Sequence, residues 1–280
     1  MAVNKKHLSG IGRPIDLKVA TNRAIAIITL LTLFGGFCFQ FIIAQGSWLG
    51  SLSWGFQLSV SVFLTWALCR EIDPDHNPPA FIASGIAFIV FIIWEMPSLL
   101  FILWILLACR FLNRIIGIST TVLDSIIFLL MSLWLTYQNS WLIGYLTGFV
   151  FLADAFMPYG KKFKLYFAGL SFLITTIFVL TINYEYPPSF DSKTGLLVLF
   201  LCLIFIPVIL RSRQVESQCD FPDNPALPIR IQAAQVFALS SGVSMLLWHG
   251  QAGFLQTAPL WACVLASAVY AFYIALAQKN

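Results

Sequence analysis

The densest chemistry in the chain lies in Arg70-Glu71-Ile72-Asp73-Pro74-Asp75-His76-Asn77-Pro78-Pro79, which sets three carboxylates and an imidazole close together. Carboxylates at this spacing can hold Mg²⁺, partly through water, while the ion grips a diphosphate; Arg110 and Arg114, in the next charged stretch, can bind the phosphates. That is the chemistry of a membrane-embedded enzyme acting on a lipid or prenyl diphosphate. Its catalytic candidates are Glu71, Asp73, Asp75, Arg110 and Arg114, and Mg²⁺ is the only cofactor it implies. The same residues also suit a proline-rich turn, in which Asp73 and Asp75 cap the chain reversal and Arg70 neutralises Glu71. Geometry separates the two readings, because an enzyme needs Asp73, Asp75, Arg110 and Arg114 within a metal-bridged distance, below roughly 8 Å.

A second set of polar residues sits inside long apolar runs. Gln57, Ser61 and Thr65 recur at four-residue intervals, as do Thr121 and Ser125, followed by Ser132 and Thr136. Such stripes are either contacts between helices or the lining of a transport cavity. Asp124 stands beside the second stripe, about two turns or roughly 10 Å into its helix. A carboxylate at that depth is neutral, paired with Arg110 or Arg114, or wetted by a cavity. It is a relay for protons or cations, or else a structural acid bonded to Thr120 or Thr121. Gln232 and Gln235, with Ser240, Ser241, Ser244 and His249, mark the most polar run of the chain, suited to lining a cavity or to burial among neighbours. His249 reads as a boundary residue and not as a metal ligand. Asp154 reads as a boundary acid paired with Lys161 and Lys162. Gly144 and Gly148 form a GxxxG that lets two helix backbones approach. Glu95, ahead of Pro97, reads as a charge favouring the start of the next helix.

These residues need elements to position them, and composition decides which. Hydrophobic residues are 59% of the 280 positions and charged residues 10%, which excludes a water-soluble globular class. A span needs about 20 apolar residues, somewhat fewer where the bilayer is thin. The apolar runs thread as ten spans, at 24–44, 48–69, 79–94, 97–112, 117–136, 140–158, 164–183, 194–210, 229–249 and 254–276. The segment 1–23 is polar and basic, and the run behind it is too long for a signal-peptide core, so it reads as a retained first span. Residues 24–280 then form one transmembrane helical domain, with a proline-rich linker at 211–228 that can set the last two spans apart.

Charge fixes the threading. With ten spans, fifteen of the 16 Lys and Arg residues fall on one side and only Lys193 on the other. Joining 79–112 into one rod gives seven against nine. Basic flanks stay with the cytoplasm, so both termini are expected there, in a bacterial-type inner (plasma) membrane. Trp48, Trp94, Trp141 and Trp248 mark the opposite interface. The basic residues are used up at span ends, which leaves no nucleic-acid patch, and the six cysteines stand singly, without a CxxC.

The span count, short loops and cytoplasmic termini resemble, in topology, the ten-helix carriers of the drug/metabolite transporter superfamily. The position of the Glu71–Asp75 loop also resembles that of the first acidic motif in membrane prenyltransferases of the UbiA type. The NDxxDxxxD spacing of that family is absent, and the loop after span six carries Asp154, Lys161 and Lys162 instead of a second acidic motif. The function expected first is a small-molecule carrier, its polar cavity drawn from Asp124, Gln57, Ser61, Thr65, Thr121, Gln232 and Gln235. A Mg²⁺-dependent lipid enzyme and a membrane scaffold subunit are the alternatives. In each case the bilayer is the surrounding partner and the substrate is open.

Overall fold

A computed structural model describes residues 9–13, 15–94, 96–115, 119–138, 140–182, 191–217, 219 and 226–278. Among the described residues the fold is all-helical, with ten α-helices and no strand. They are α1 (Ala20–Cys38, continued by one π-helical turn, Phe39–Ile43), α2 (Trp48–Ile72), α3 (Pro78–Ile93), α4 (Leu99–Asn113) and α5 (Val122–Gln138). The second five are α6 (Trp141–Phe156), α7 (Lys164–Thr181), α8 (Ser192–Arg211), α9 (Pro228–Gln256) and α10 (Ala258–Ala277). Prolines open α3 and α9, where the missing N–H removes no helical bond. The side chains of Ser47 and Ser140 cap α2 and α6. Helix α9 bends at Gly250, whose φ of 57° a side chain would oppose. Glu95, whose charge is expected to favour the start of α4, and seven residues of the 211–228 linker, 218 and 220–225, lie outside the described residues.

Among the described residues six helices are long and apolar enough to cross a membrane: α1 with its π turn, α2, α7, α8, α9 and α10. The other four, α3 to α6, run 15 to 17 residues. Shortness does not mean exposure. Helix α4 lies at the centre, with Leu100 its only exposed residue, packed against α2, α5, α6 and α9. The outer helices turn large apolar side chains outward, among them Leu31, Tyr166, Leu180 and Leu196. A protein in water does not keep so much apolar surface exposed, whereas in lipid that surface costs nothing.

Close contacts explain how the short helices dock. A Cβ on Gly144 would sit 2.0 Å from Thr175 Oγ1 and one on Gly148 2.4 Å from the Phe172 ring, so the GxxxG is the face that receives α7. Phe111, Phe128 and Phe151 form a three-ring cluster joining α4, α5 and α6, with centroids 4.8 to 5.6 Å apart. Of the last two helices, α9 packs against α4 and α10 against α2, α3 and α8.

The charged helix ends gather on one face. There the end of α2 meets the end of α4 through Glu71 and Arg110, and the start of α9 meets the end of α6 through Arg230 and Asp154. Gln232 donates to the Ile209 carbonyl of α8, and His76 stacks edge-on with Tyr270 of α10. Helices α2 and α4 therefore run parallel, and α3, which joins them in chain order, is a separate element packed on α2 and α10. Residues 79–112 are not one rod.

Candidate functional site

The acidic stretch does not converge. Glu71 lies in the last turn of α2 and is buried; its carboxylate accepts from Arg110 Nε at 2.8 Å and from Asn113 Nδ2 at 2.8 Å. Asp73 lies past the helix end and bonds His76 Nδ1 at 2.8 Å, while Asp75 accepts from the Ser217 amide at 2.8 Å. Arg70 turns to Asn77 instead of neutralising Glu71. The reason is helical direction: Glu71 still projects toward α4, whereas Asp73 and Asp75 follow a chain that has left the helix. A crevice of about 10 Å³ between Asp73, Asp75, His76 and Arg211 has room for about one water. Among the described residues no three metal-ligating side chains come together. The four residues expected to close around Mg²⁺ go to different partners: Arg110 to Glu71, Arg114 to Asp154, Asp73 to His76 and Asp75 to Ser217.

The convergent cluster forms instead around Asp154, near the end of α6 and fully buried. Its Oδ1 lies 2.7 Å from Arg114 Nη2 and 3.0 Å from Arg230 Nη1, and its Oδ2 lies 3.7 Å from Lys164 Nζ. All three cations are at most 8% exposed. Lys164 Nζ also donates to Thr120 Oγ1 and Ser125 Oγ, at 2.6 and 2.8 Å, and sits 4.3 Å above the Phe111 ring. Arg230 gives Nε to the Pro158 carbonyl and Nη1 to the Leu112 carbonyl, and Arg114 gives Nη1 to the Tyr159 carbonyl. Arg114 and Tyr159 both have positive φ, 51° and 62°. Left-handed backbone costs a non-glycine residue about 1 kcal/mol, so strain collects at this point.

Among the described residues the charges do not balance. Three cations contact one carboxylate, a formal surplus of two. Asp124 acts on Lys164 through space without an ion-pair contact, and counting it still leaves one. Carbonyls take part of the load, yet Arg230 Nη2 and Arg114 Nε have no hydrogen-bond partner among the described residues. Buried guanidinium groups left this way cost free energy unless an anion meets them.

The expected transport residues divide. Asp124 is in the first turn of α5, because that helix begins at Val122 and not at 117. It completes a capping box, accepting from the Thr121 amide at 2.7 Å while Thr121 Oγ1 accepts from its own amide. Its remaining capacity takes the Ser9 hydroxyl and the Gly10 amide, at 2.6 and 2.8 Å, which pins the segment ahead of α1 across the ends of α4 and α5. Neither Arg110 nor Arg114 pairs with it. Ser61 and Thr65 are buried but Gln57 is exposed, since residues four apart drift by about 40° around a helix and the stripe rotates away. Thr65, Ser125, Ser132 and Thr136 bond the carbonyl four residues back, the packing arrangement. Gln232 and Gln235 are ties between helices: Gln235 donates to the Ile72 carbonyl and to Ser212 Oγ, each at 2.8 Å.

The boundary pairing of Asp154 with Lys161 and Lys162 expected from the sequence does not form: both lysines are exposed, and Asp154 meets Arg114, Arg230 and Lys164 instead. The signal available was position. Lys164 and Arg230 fall in the first turns of α7 and α9, where side chains lean back past the helix start toward the ends of neighbouring helices. No protein-family model, no curated protein and no solved structure matches the chain.

Proposed function

We propose that the protein is a ten-span carrier, with both termini on the cytoplasmic side of a bacterial-type plasma membrane, and that it receives an anion at the Asp154 cluster. The ten-span reading is supported by the one-sided distribution of Lys and Arg and by the gathering of charged helix ends on one face. Short α4 is tolerable because its neighbours, not lipid, surround it.

The observation that carries the anion is the surplus of buried cations among the described residues, with two guanidinium nitrogens that find no acceptor there. Arg114 and Arg230 arrive from different helices, α4 and α9, so a shift of one against the other would make or break the site, which suits alternating access. The Mg²⁺-enzyme alternative rests on acids that each already hold a protein partner.

Thermal unfolding of the purified protein in inorganic phosphate, diphosphate and citrate, against chloride at matched ionic strength, tests the reading. A ligand that binds only the folded state raises its midpoint in proportion to the logarithm of its concentration. At least one of these anions is expected to do so in the wild type and not in Arg230→Met. Equal midpoints in all salts, or shifts that survive Arg230→Met and Arg114→Gln, would remove the site.

A further inference from the structure

We infer that the anion is the head of a membrane lipid ending in a phosphate, and that its chain lies in the groove between α4, α6 and α9. This rests on the Asp154 cluster being an anion site and adds the class of ligand. The groove has a volume of about 420 Å³ and an almost wholly apolar lining. At ~30 Å³ per water-sized group that is room for roughly fourteen methylene-like groups. Phe149, Phe156 and Val236 of its wall are exposed on the outside of the bundle, so it is reached from the bilayer.

Groove and cluster share their walls. Leu112 lines the groove and gives its carbonyl to Arg230; Ala153 precedes Asp154; Met157 leads into Pro158, whose carbonyl also holds Arg230; and Ala233 lies one turn beyond Arg230 on α9. An amphiphile sliding in from the lipid thus brings its head against the cations while its chain stays in apolar surroundings. The cations are nearly closed to water, which favours lateral access over capture of a free ion. A terminal phosphate is anionic near neutral pH and complements an excess of buried cations, which a zwitterionic head does not.

The test uses the full-length protein, delipidated in a non-ionic detergent, with native mass spectrometry and thermal unfolding read together. The probes are dioleoyl phosphatidic acid, dioleoyl phosphatidylcholine and glycerol 3-phosphate. Phosphatidic acid is expected to bind at one per chain and raise the midpoint, with the other two at least tenfold weaker. Arg230→Met and Ala233→Phe, the second filling the groove without touching the charges, are each expected to weaken phosphatidic acid at least tenfold. Val236→Trp narrows the groove from its exposed wall and serves if Ala233→Phe does not yield a monodisperse protein. Glycerol 3-phosphate as effective as the lipid, with the groove variants silent, would overturn the lipid and leave the anion site standing. Phosphatidylcholine binding as tightly, indifferent to Arg230→Met, would overturn the phosphate head. No binding by any probe would overturn both readings.

Discussion

Replacing Asp154 by asparagine keeps the shape of the side chain and removes the only carboxylate among the described residues in contact with Arg114, Arg230 and Lys164. The three cations at 2.7, 3.0 and 3.7 Å from its oxygens would then face one another, and the local surplus would rise from two to three. Removing one partner of a buried ion pair typically costs about 3–5 kcal/mol, here with more than one partner stranded. For a chain of this size that corresponds to a midpoint lower by on the order of 10 °C or more. Lys164→Met works the opposite way. It lowers the surplus to one and leaves an apolar stem among Phe111, Phe151 and Phe163, so a change within about 1 kcal/mol of wild type, or a gain, is expected. The double variant should recover part of the asparagine loss, a coupling of about 1 kcal/mol or more in a double-mutant cycle. Tryptophan fluorescence during heating in detergent reads all four proteins. An Asp154→Asn protein as stable as wild type, or a Lys164→Met protein as damaged as Asp154→Asn, would refute the charge argument.

Gly148→Leu should separate α6 from α7 and cost about 3 kcal/mol or more, since even a Cβ meets Phe172, whereas Gly169→Leu, with open space around it, should be near neutral by the same unfolding assay. Glu71→Gln strands Arg110 and should lower stability by about 3 kcal/mol, while Asp73→Asn, which loses a local pair with His76, should cost under about 1 kcal/mol. Asp124→Asn can still offer one oxygen to the two backbone amides but loses the charge and the acceptor for the Ser9 hydroxyl, so a loss of about 1 kcal/mol and faster tryptic cleavage after Lys18 are expected, with transport of any identified substrate retained. Single cysteines at Lys161 and Ser192, in a chain whose six free cysteines are replaced, should be labelled from opposite sides of intact cells, Ser192→Cys from outside.

Each of the ten apolar runs corresponds to a helix, because length and composition alone distinguish an apolar helix from its polar links. The break between α3 and α4 was legible from charge, and Met96-Pro97 stands between the two helices. Ends were less legible: α5 starts five residues late because Thr121 and Asp124 cap it, a local bond that hydropathy does not weigh. The site was legible only in part. Arg114 is singled out by the sequence, but for holding the phosphates of a diphosphate beside Asp73 and Asp75 or for pairing with Asp124, and its left-handed backbone has no signature in a sequence. Lys164 and Arg230 were counted as rim charges, which fits their place at helix starts. Their burial follows from short neighbours, α4 and α6, whose ends stop level with them, and that is a property of packing.

The most direct measurement is a cryo-EM map of the protein in nanodiscs that contain phosphatidic acid. The account requires non-protein density within hydrogen-bond distance of Arg230 Nη2, about 3 Å, continuing into the groove beside Leu112 and Ala233. A guanidinium met only by groups of the chain itself, with the groove holding disordered lipid, would contradict it.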